Sequence, residues 1–168
     1  MSRGFVKEDD LEHAGTDVPE RPVSAHVNYV TLNGYAQLEK WAVALEKQRQ
    51  ILNSNKDNNE AIAALAIVNR DLRYVSSRLE SALITKPELT AIQVLFGAKV
   101  TVEDENGKRD TYEIVGEDEA DIKINKVSWV SPLAACLIGQ KVDDTVVWKR
   151  PIGDQILTII LIEYNLNN

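Results

Sequence analysis

The chain has 168 residues, and its 26 acidic side chains outnumber its 19 basic ones, giving a formal net charge of -7. No stretch approaches the roughly 18 apolar residues of a membrane helix, and the start lacks the apolar core of a secretion signal, so we expect a soluble cytoplasmic protein. One cysteine and two histidines exclude a disulfide framework and the common zinc sites. The net negative charge argues against a protein that binds the phosphate backbone of duplex nucleic acid directly.

Residues 1–28 are acidic, contain two prolines and show no periodicity, which predicts an extended or disordered arm. The next segment, 29–86, predicts an antiparallel helical hairpin. Thr31 is the expected N-cap of its first helix, although Gly34 stands where a capping box has Glu or Gln. The polar turn 53–59 separates two helical patterns.

Each helical pattern carries one apolar stripe with steps of three and four residues. The second stripe is regular over about three heptads, as in the seam of a coiled coil. Helices of about 20–25 residues would extend roughly 30–40 Å, and two helices of a larger bundle are the alternative. The stripes comprise Tyr35, Leu38, Ala42, Leu45 and Leu52 in the first helix, and Ala61, Leu65, Val68, Leu72, Val75, Leu79 and Ala82 in the second.

The remaining residues, 87–168, predict a small α+β domain after Pro87 ends the second helix. Strand-like alternation on both sides of Asn106-Gly107 predicts a β hairpin. Three later segments, KVSWV, DTVVWKR and QILTIILIEY, are rich in β-branched and aromatic residues and predict further strands. Ser131 with Pro132 predicts the start of a short helix that Gly139 ends. We therefore expect an antiparallel sheet packed on one helix.

Two acidic groups are candidate sites. Asp57 and Glu60 lie three residues apart at the start of the second helix, so their carboxylates can jointly hold a hard cation such as Mg²⁺. Helix-dipole and turn preferences explain the same residues without a metal, and both interpretations remain open. The run 117–121 is either a solvated acidic loop or an electrostatic docking patch for a basic partner.

Several motifs stand together in the order of a known family. They are Phe96-Gly97-Ala98, the run from Ile114 to Asp121, Ser131-Pro132-Leu133-Ala134 and Leu137-Ile138-Gly139. With the preceding hairpin, they resemble the GreA/GreB transcript-cleavage family over about 135 residues, from Tyr29 to Tyr164. The opening SRGFVKEDD is similar to a divergent Gre-like branch with a shortened coiled coil. The resemblance implies an FKBP-like C-terminal domain.

The resemblance also implies a function. Such a factor binds RNA polymerase at the rim of its secondary channel, inserts the hairpin and stimulates cleavage of backtracked transcripts by the polymerase's own active site. It implies no catalytic residues in this chain, a monomer, indirect contact with nucleic acid, and no cofactor beyond a Mg²⁺ shared with the polymerase. By this resemblance, Asp57 and Glu60 at the hairpin tip hold the shared Mg²⁺. The residues that contact the polymerase are Glu117, Asp118, Glu119, Asp121, Ser131 and Pro132.

Departures from the family pattern leave alternatives. Lys56 replaces the family's tip glycine, Ala61 replaces an asparagine, and each helix is expected to be shorter by about one heptad, roughly 10 Å. Polymerase binding is therefore a firmer expectation than cleavage, and a regulator or competitor that only binds the channel, like the Rnk relatives, is the first alternative. A coiled-coil dimerisation module is another. An FKBP-like prolyl isomerase or chaperone would need a pocket lined by aromatic residues such as Phe96, Tyr112, Trp129, Trp148 and Tyr164.

Overall fold

The computed structural model describes residues 18–55 and 58–165, and their element order confirms the α+β class. No helix in these ranges combines the length and hydrophobicity needed to cross a membrane. The helices are α1 (Leu32–Asn53), α2 (Asn59–Ser81) and α3 (Pro132–Leu137), with a 3-10 turn at Ile122–Ile124. The strands are β1 (Tyr29–Val30), β2 (Leu83–Ile84), β3 (Ala98–Asp104), β4 (Arg109–Val115), β5 (Lys126–Ser128), β6 (Thr145–Trp148) and β7 (Gln155–Tyr164).

The described residues divide into two compact units. One consists of residues 18–24 with Glu39–Glu80, and the other of Ala25–Leu38 with residues 81–165. The predicted domain limits of 1–28, 29–86 and 87–168 stay a prediction.

The first unit contains most of the helical hairpin, as expected. Helices α1 and α2 have 22 and 23 residues, which corresponds to about 33 and 35 Å. Ala61, Val68 and Val75 are buried at steps of seven residues, and Leu45 is buried on α1. These buried positions all fall on the predicted apolar stripes. Residues 18–24 of the same unit have no regular secondary structure.

The second unit is built on a five-stranded sheet of order β5-β4-β3-β7-β6. The predicted β3–β4 hairpin is present, and β7 lies in the interior of the sheet. The predicted antiparallel pairing is confirmed for β3, β4, β6 and β7, whereas β5 pairs parallel with β4 and makes the sheet mixed. Residues 116–125, which include the 3-10 turn, form the crossover that brings β5 back in the same direction.

A second, two-stranded sheet was not predicted. Strand β1 pairs parallel with β2, in the register Tyr29 with Leu83 and Val30 with Ile84. Two-residue strands are too short to leave a periodic signal, so only the folded chain shows this pairing.

The hydrophobic core of the second unit lies between one face of the five-stranded sheet and α3. Helix α3 begins as predicted, because the Ser131 hydroxyl accepts a hydrogen bond from the Ala134 N–H at 3.2 Å, and Pro132 follows the cap. The most deeply buried side chains of this core are Val94, Ala98, Val100, Val102, Ile114, Leu133, Ala134, Leu137 and Ile159.

Candidate functional site

The tip of the hairpin is a polar turn, as the sequence predicts. Asn58 caps α2, since its side-chain oxygen accepts a hydrogen bond from the Glu60 N–H at 2.9 Å. Glu60 itself is exposed in the first turn of the helix, where the helix dipole favours a carboxylate. Asp57 lies outside the described residues.

An open concavity of about 620 Å³ lies at this tip. It is lined by Leu52, Ser54, Asn55, Asn58, Glu60, Ala61 and Ala64. Carboxylate and amide oxygens are the hard donors that Mg²⁺ prefers, so the chemistry of these side chains is compatible with a shared magnesium ion. Within residues 18–55 and 58–165, no group of three or more His, Cys, Asp or Glu residues could hold a metal ion.

The acidic run 117–121 is not a uniformly solvated loop. Glu117 and Asp118 are half-buried, and Asp121 is exposed. The carboxylate of Asp121 accepts a hydrogen bond from the Lys123 N–H at 3.0 Å and so caps the 3-10 turn. Glu119 is buried, with its side chain only 1% exposed, so the interpretation as a solvated loop was wrong at this position.

Both carboxylate oxygens of Glu119 accept hydrogen bonds from residues of the second unit. One oxygen accepts a hydrogen bond from the Thr31 hydroxyl at 2.5 Å. The other accepts hydrogen bonds from the Asn33 side-chain amide at 2.9 Å and from the Lys126 ammonium at 2.8 Å. A negative charge held at the first turn of α1 is favourable for the helix dipole. Glu119 therefore has a structural function at this position.

The position of the Glu119 carboxylate also explains why residue 34 is a glycine. Thr31 is the N-cap of α1, because its hydroxyl accepts a hydrogen bond from the Gly34 N–H at 2.9 Å. A Cβ at position 34 would lie 2.6 Å from a Glu119 carboxylate oxygen. A carboxylate 85 residues further along the chain therefore fills the space beside Gly34 and accepts a hydrogen bond from the hydroxyl of the N-cap Thr31.

Exposed apolar residues next to the acidic run were missed by the sequence reasoning. Ile122 and Ile124 are 65% and 64% exposed in the 3-10 turn that follows Asp121. Two isoleucines spaced two apart resemble part of a strand, so their exposure could not be inferred from the pattern.

The aromatic residues that an isomerase pocket would need are mostly packed against one another. Phe96 and Trp129 lie against Tyr29, with ring centroids 5.9 and 5.1 Å apart. Tyr112 lies against Trp148 at 6.3 Å. This arrangement gives no support to a peptide-binding pocket at these side chains.

Comparison with known proteins identifies the family. Residues 89–164 match the family described as transcription elongation factor GreA/GreB, C-terminal part. The chain is 37% identical over 153 residues to the transcription elongation factor GreB of Neisseria meningitidis serogroup B, with 82% of this chain and 94% of that protein covered. The chain belongs to the GreA/GreB family of transcription elongation factors.

A GreA protein gives the same result by sequence. The transcription elongation factor GreA of Thioalkalivibrio sulfidiphilus is 35% identical over 128 residues, covering 73% of this chain and 80% of that protein. Among solved structures, the GreA factor homolog 1 (Gfh1) protein of Thermus thermophilus aligns at 23% identity with a TM-score of 0.40, covering 82% of this chain and 99% of that one. The sequence relatives confirm the predicted Gre-type elongation factor.

Proposed function

We propose that this Gre-family factor binds RNA polymerase at the secondary channel and acts on elongation through its helical hairpin. Family membership supports this proposal, together with a hairpin about 33–35 Å long that carries an exposed acidic residue, Glu60, at its tip. The chain acts as a monomer without covalent catalysis of its own, and its contact with nucleic acid is indirect. The polymerase as partner also accounts for the predicted cytoplasmic location.

The docking surface that we propose lies on the second unit. It consists of the exposed Asp121, the half-buried Glu117 and Asp118, and the exposed Ile122 and Ile124. Acidic side chains around an apolar centre fit a partner surface that presents basic side chains around an apolar patch. Glu119 stabilises this surface from inside the fold.

The predicted residues Ser131 and Pro132 have a more local role in the same proposal. Ser131 caps α3 and is half-buried, whereas Pro132 is exposed. Their predicted contact with the polymerase therefore rests on Pro132, with Ser131 fixing the position of the turn.

The tip residues Asp57 and Glu60 would share a Mg²⁺ with the polymerase. A magnesium ion bound there would neutralise the charge that develops when the polymerase hydrolyses a phosphodiester bond. This chain would contribute carboxylate oxygens at the end of the hairpin, and the exposure of Glu60 supports that contribution.

Transcript cleavage in a stalled, backtracked polymerase complex tests the proposal. The wild-type protein should stimulate cleavage, and Asp57→Ala with Glu60→Ala should abolish the stimulation while co-elution with core polymerase persists. Glu39→Ala is the matched control, because Glu39 is an exposed acid on the same hairpin far from the tip. A protein that fails to co-elute with core polymerase at low salt would contradict the proposal.

A second candidate is a channel-binding regulator without cleavage activity. Two observations favour it: Lys56 stands in place of the family's tip glycine, and the helices have only 22 and 23 residues. This candidate predicts co-elution with polymerase, no stimulated cleavage by the wild type, and competition with longer Gre factors. The cleavage assay therefore separates the two candidates directly.

A further inference from the structure

The last residues of the acidic arm lie against the hairpin at a defined place. The segment Pro19-Glu20-Arg21-Pro22 belongs to the same compact unit as the greater part of both long helices. Side chains of Glu20 and Arg21 make its contacts, and they reach both helices.

Arg21 occupies an aromatic and acidic cleft. Its guanidinium carbon lies 5.0 Å from the ring centroid of Trp41 on α1 and 4.4 Å from that of Tyr74 on α2. One guanidinium nitrogen lies 3.7 Å from a carboxylate oxygen of Asp71, which is itself largely buried. A planar cation over two ring faces and beside a carboxylate is a favourable arrangement for arginine.

Glu20 makes a second contact with the hairpin, an ion pair with Arg73 of α2. Its carboxylate accepts hydrogen bonds from the Arg73 guanidinium, with the Arg73 Nε atom 3.1 and 3.3 Å from the two carboxylate oxygens. Neighbouring residues of the arm thus lie beside an acid and a base of α2: Arg21 beside Asp71, whose carboxylate also accepts hydrogen bonds from Arg70, and Glu20 beside Arg73.

The two prolines prepare the segment for this contact. Pro19 and Pro22 fix their own φ angles, and each proline drives the residue before it into an extended conformation. Arg21 precedes Pro22, so its backbone is already restricted before it binds. A restricted segment loses less conformational entropy on binding than a flexible one.

We propose that Trp41, Asp71, Arg73 and Tyr74 form a binding site on the hairpin for the Glu20–Arg21 pair, and that the occupied site braces α1 against α2. The rings of Trp41 and Tyr74 are 6.1 Å apart, and Arg21 extends their contact by bridging both faces. A two-helix hairpin buries little surface by itself, so a brace between its helices reduces local opening. This inference stands independently of polymerase binding.

Hydrogen exchange of the full-length protein tests the brace. Arg21→Ala should speed amide exchange about three- to tenfold in the segments 39–50 and 70–79, as expected for loss of partly exposed cation–π contacts. Arg21→Lys keeps the charge without the planar stacking surface and should fall between Arg21→Ala and the wild type.

Arg150→Ala is the matched control. Arg150 lies 5.2 Å from the ring centroid of Trp148 in the other unit, so this variant removes the same type of contact away from the hairpin. Hairpin exchange should stay at the wild-type rate in Arg150→Ala. Equal rates in Arg21→Ala and the wild type, or an equal increase in Arg150→Ala, would overturn the proposal.

A spectroscopic signature gives a second readout on the unmodified protein. The side-chain Nε–H proton of Arg21 should resonate upfield of those of exposed arginines, because the guanidinium lies over two ring faces. A resonance at the ordinary arginine position would show that the cleft is empty in solution and would also overturn the proposal.

Discussion

Replacing Glu119 by alanine should destabilise the protein severely. The side chain is 1% exposed, and its carboxylate accepts hydrogen bonds from Thr31, Asn33 and Lys126. Removing one partner of a buried, hydrogen-bonded charge pair costs about 3–5 kcal/mol of the free energy of unfolding. We place Glu119→Ala in that range, since Lys126 would keep only a 4.0 Å contact with Glu113.

Urea unfolding followed by tryptophan fluorescence measures this loss. For a denaturant dependence of about 2 kcal/mol per molar urea, a loss of about 3 kcal/mol lowers the unfolding midpoint by about 1.5 M. Glu119→Gln keeps the shape and one acceptor oxygen and should cost less, about 1–3 kcal/mol. A double-mutant cycle with Thr31→Val should give a coupling energy of about 0.5–3 kcal/mol between the two side chains.

Glu105→Ala is the control for this prediction, because Glu105 is an exposed acid in the β3–β4 turn. Its substitution should change the free energy of unfolding by less than about 0.5 kcal/mol. If Glu119→Ala shifted the urea midpoint no more than Glu105→Ala, the structural assignment of Glu119 would be refuted.

Three further predictions follow from single contacts. Gly116→Ala places a Cβ 2.6 Å from the Tyr29 carbonyl oxygen and should lower the free energy of unfolding in urea by about 1–3 kcal/mol. Burial raises the pKa of Tyr164, so the neutral hydroxyl stabilises the fold until the pH rises through that raised pKa. Tyr164→Phe should lower the free energy of unfolding in urea by about 1–2 kcal/mol. The hydrogen bond from Arg73 lowers the pKa of Glu20, so the contribution of this pair is present above the ordinary glutamate pKa and is lost as the pH falls through the lowered one. An NMR titration of the Glu20 carboxyl carbon should show that lowered midpoint, and Arg73→Ala should return it to the ordinary range.

Matched variants separate these effects from general strain. Gly107→Ala, at a φ of +77° with open space around its Cβ, measures the backbone cost alone. A urea midpoint of Gly116→Ala equal to that of the wild type would contradict the steric argument. Tyr112→Phe should be nearly neutral, because the Tyr112 hydroxyl makes no hydrogen bond within residues 18–55 and 58–165, whereas the Tyr164 hydroxyl bonds to Gln93 and Leu95. Equal losses for both tyrosine variants would contradict the role of that hydroxyl.

The sequence determined the elements whose signals are local. The apolar steps that bury Ala61, Val68 and Val75, the Asn-Gly turn between β3 and β4, and the Ser131 cap of α3 all depend on residues within a few positions of one another. Propensity, periodicity and capping act at that range, so these features could be inferred without the fold. The family motifs in the C-terminal half could be recognised in the sequence because each is a short run of neighbouring residues.

Only the tertiary structure decided the long-range contacts. The parallel pairing of β5 with β4, the β1–β2 pair and the hydrogen bond from Thr31 to Glu119 join residues far apart in the chain, except that β5 follows β4 after only ten residues. Nothing at position 119 distinguishes it from its acidic neighbours, because burial depends on which surface the folded chain brings against it. The acidic residues of this chain therefore include two kinds of carboxylate: exposed ones such as Glu60 and Asp121, and the buried one of Glu119, which accepts hydrogen bonds at the start of α1.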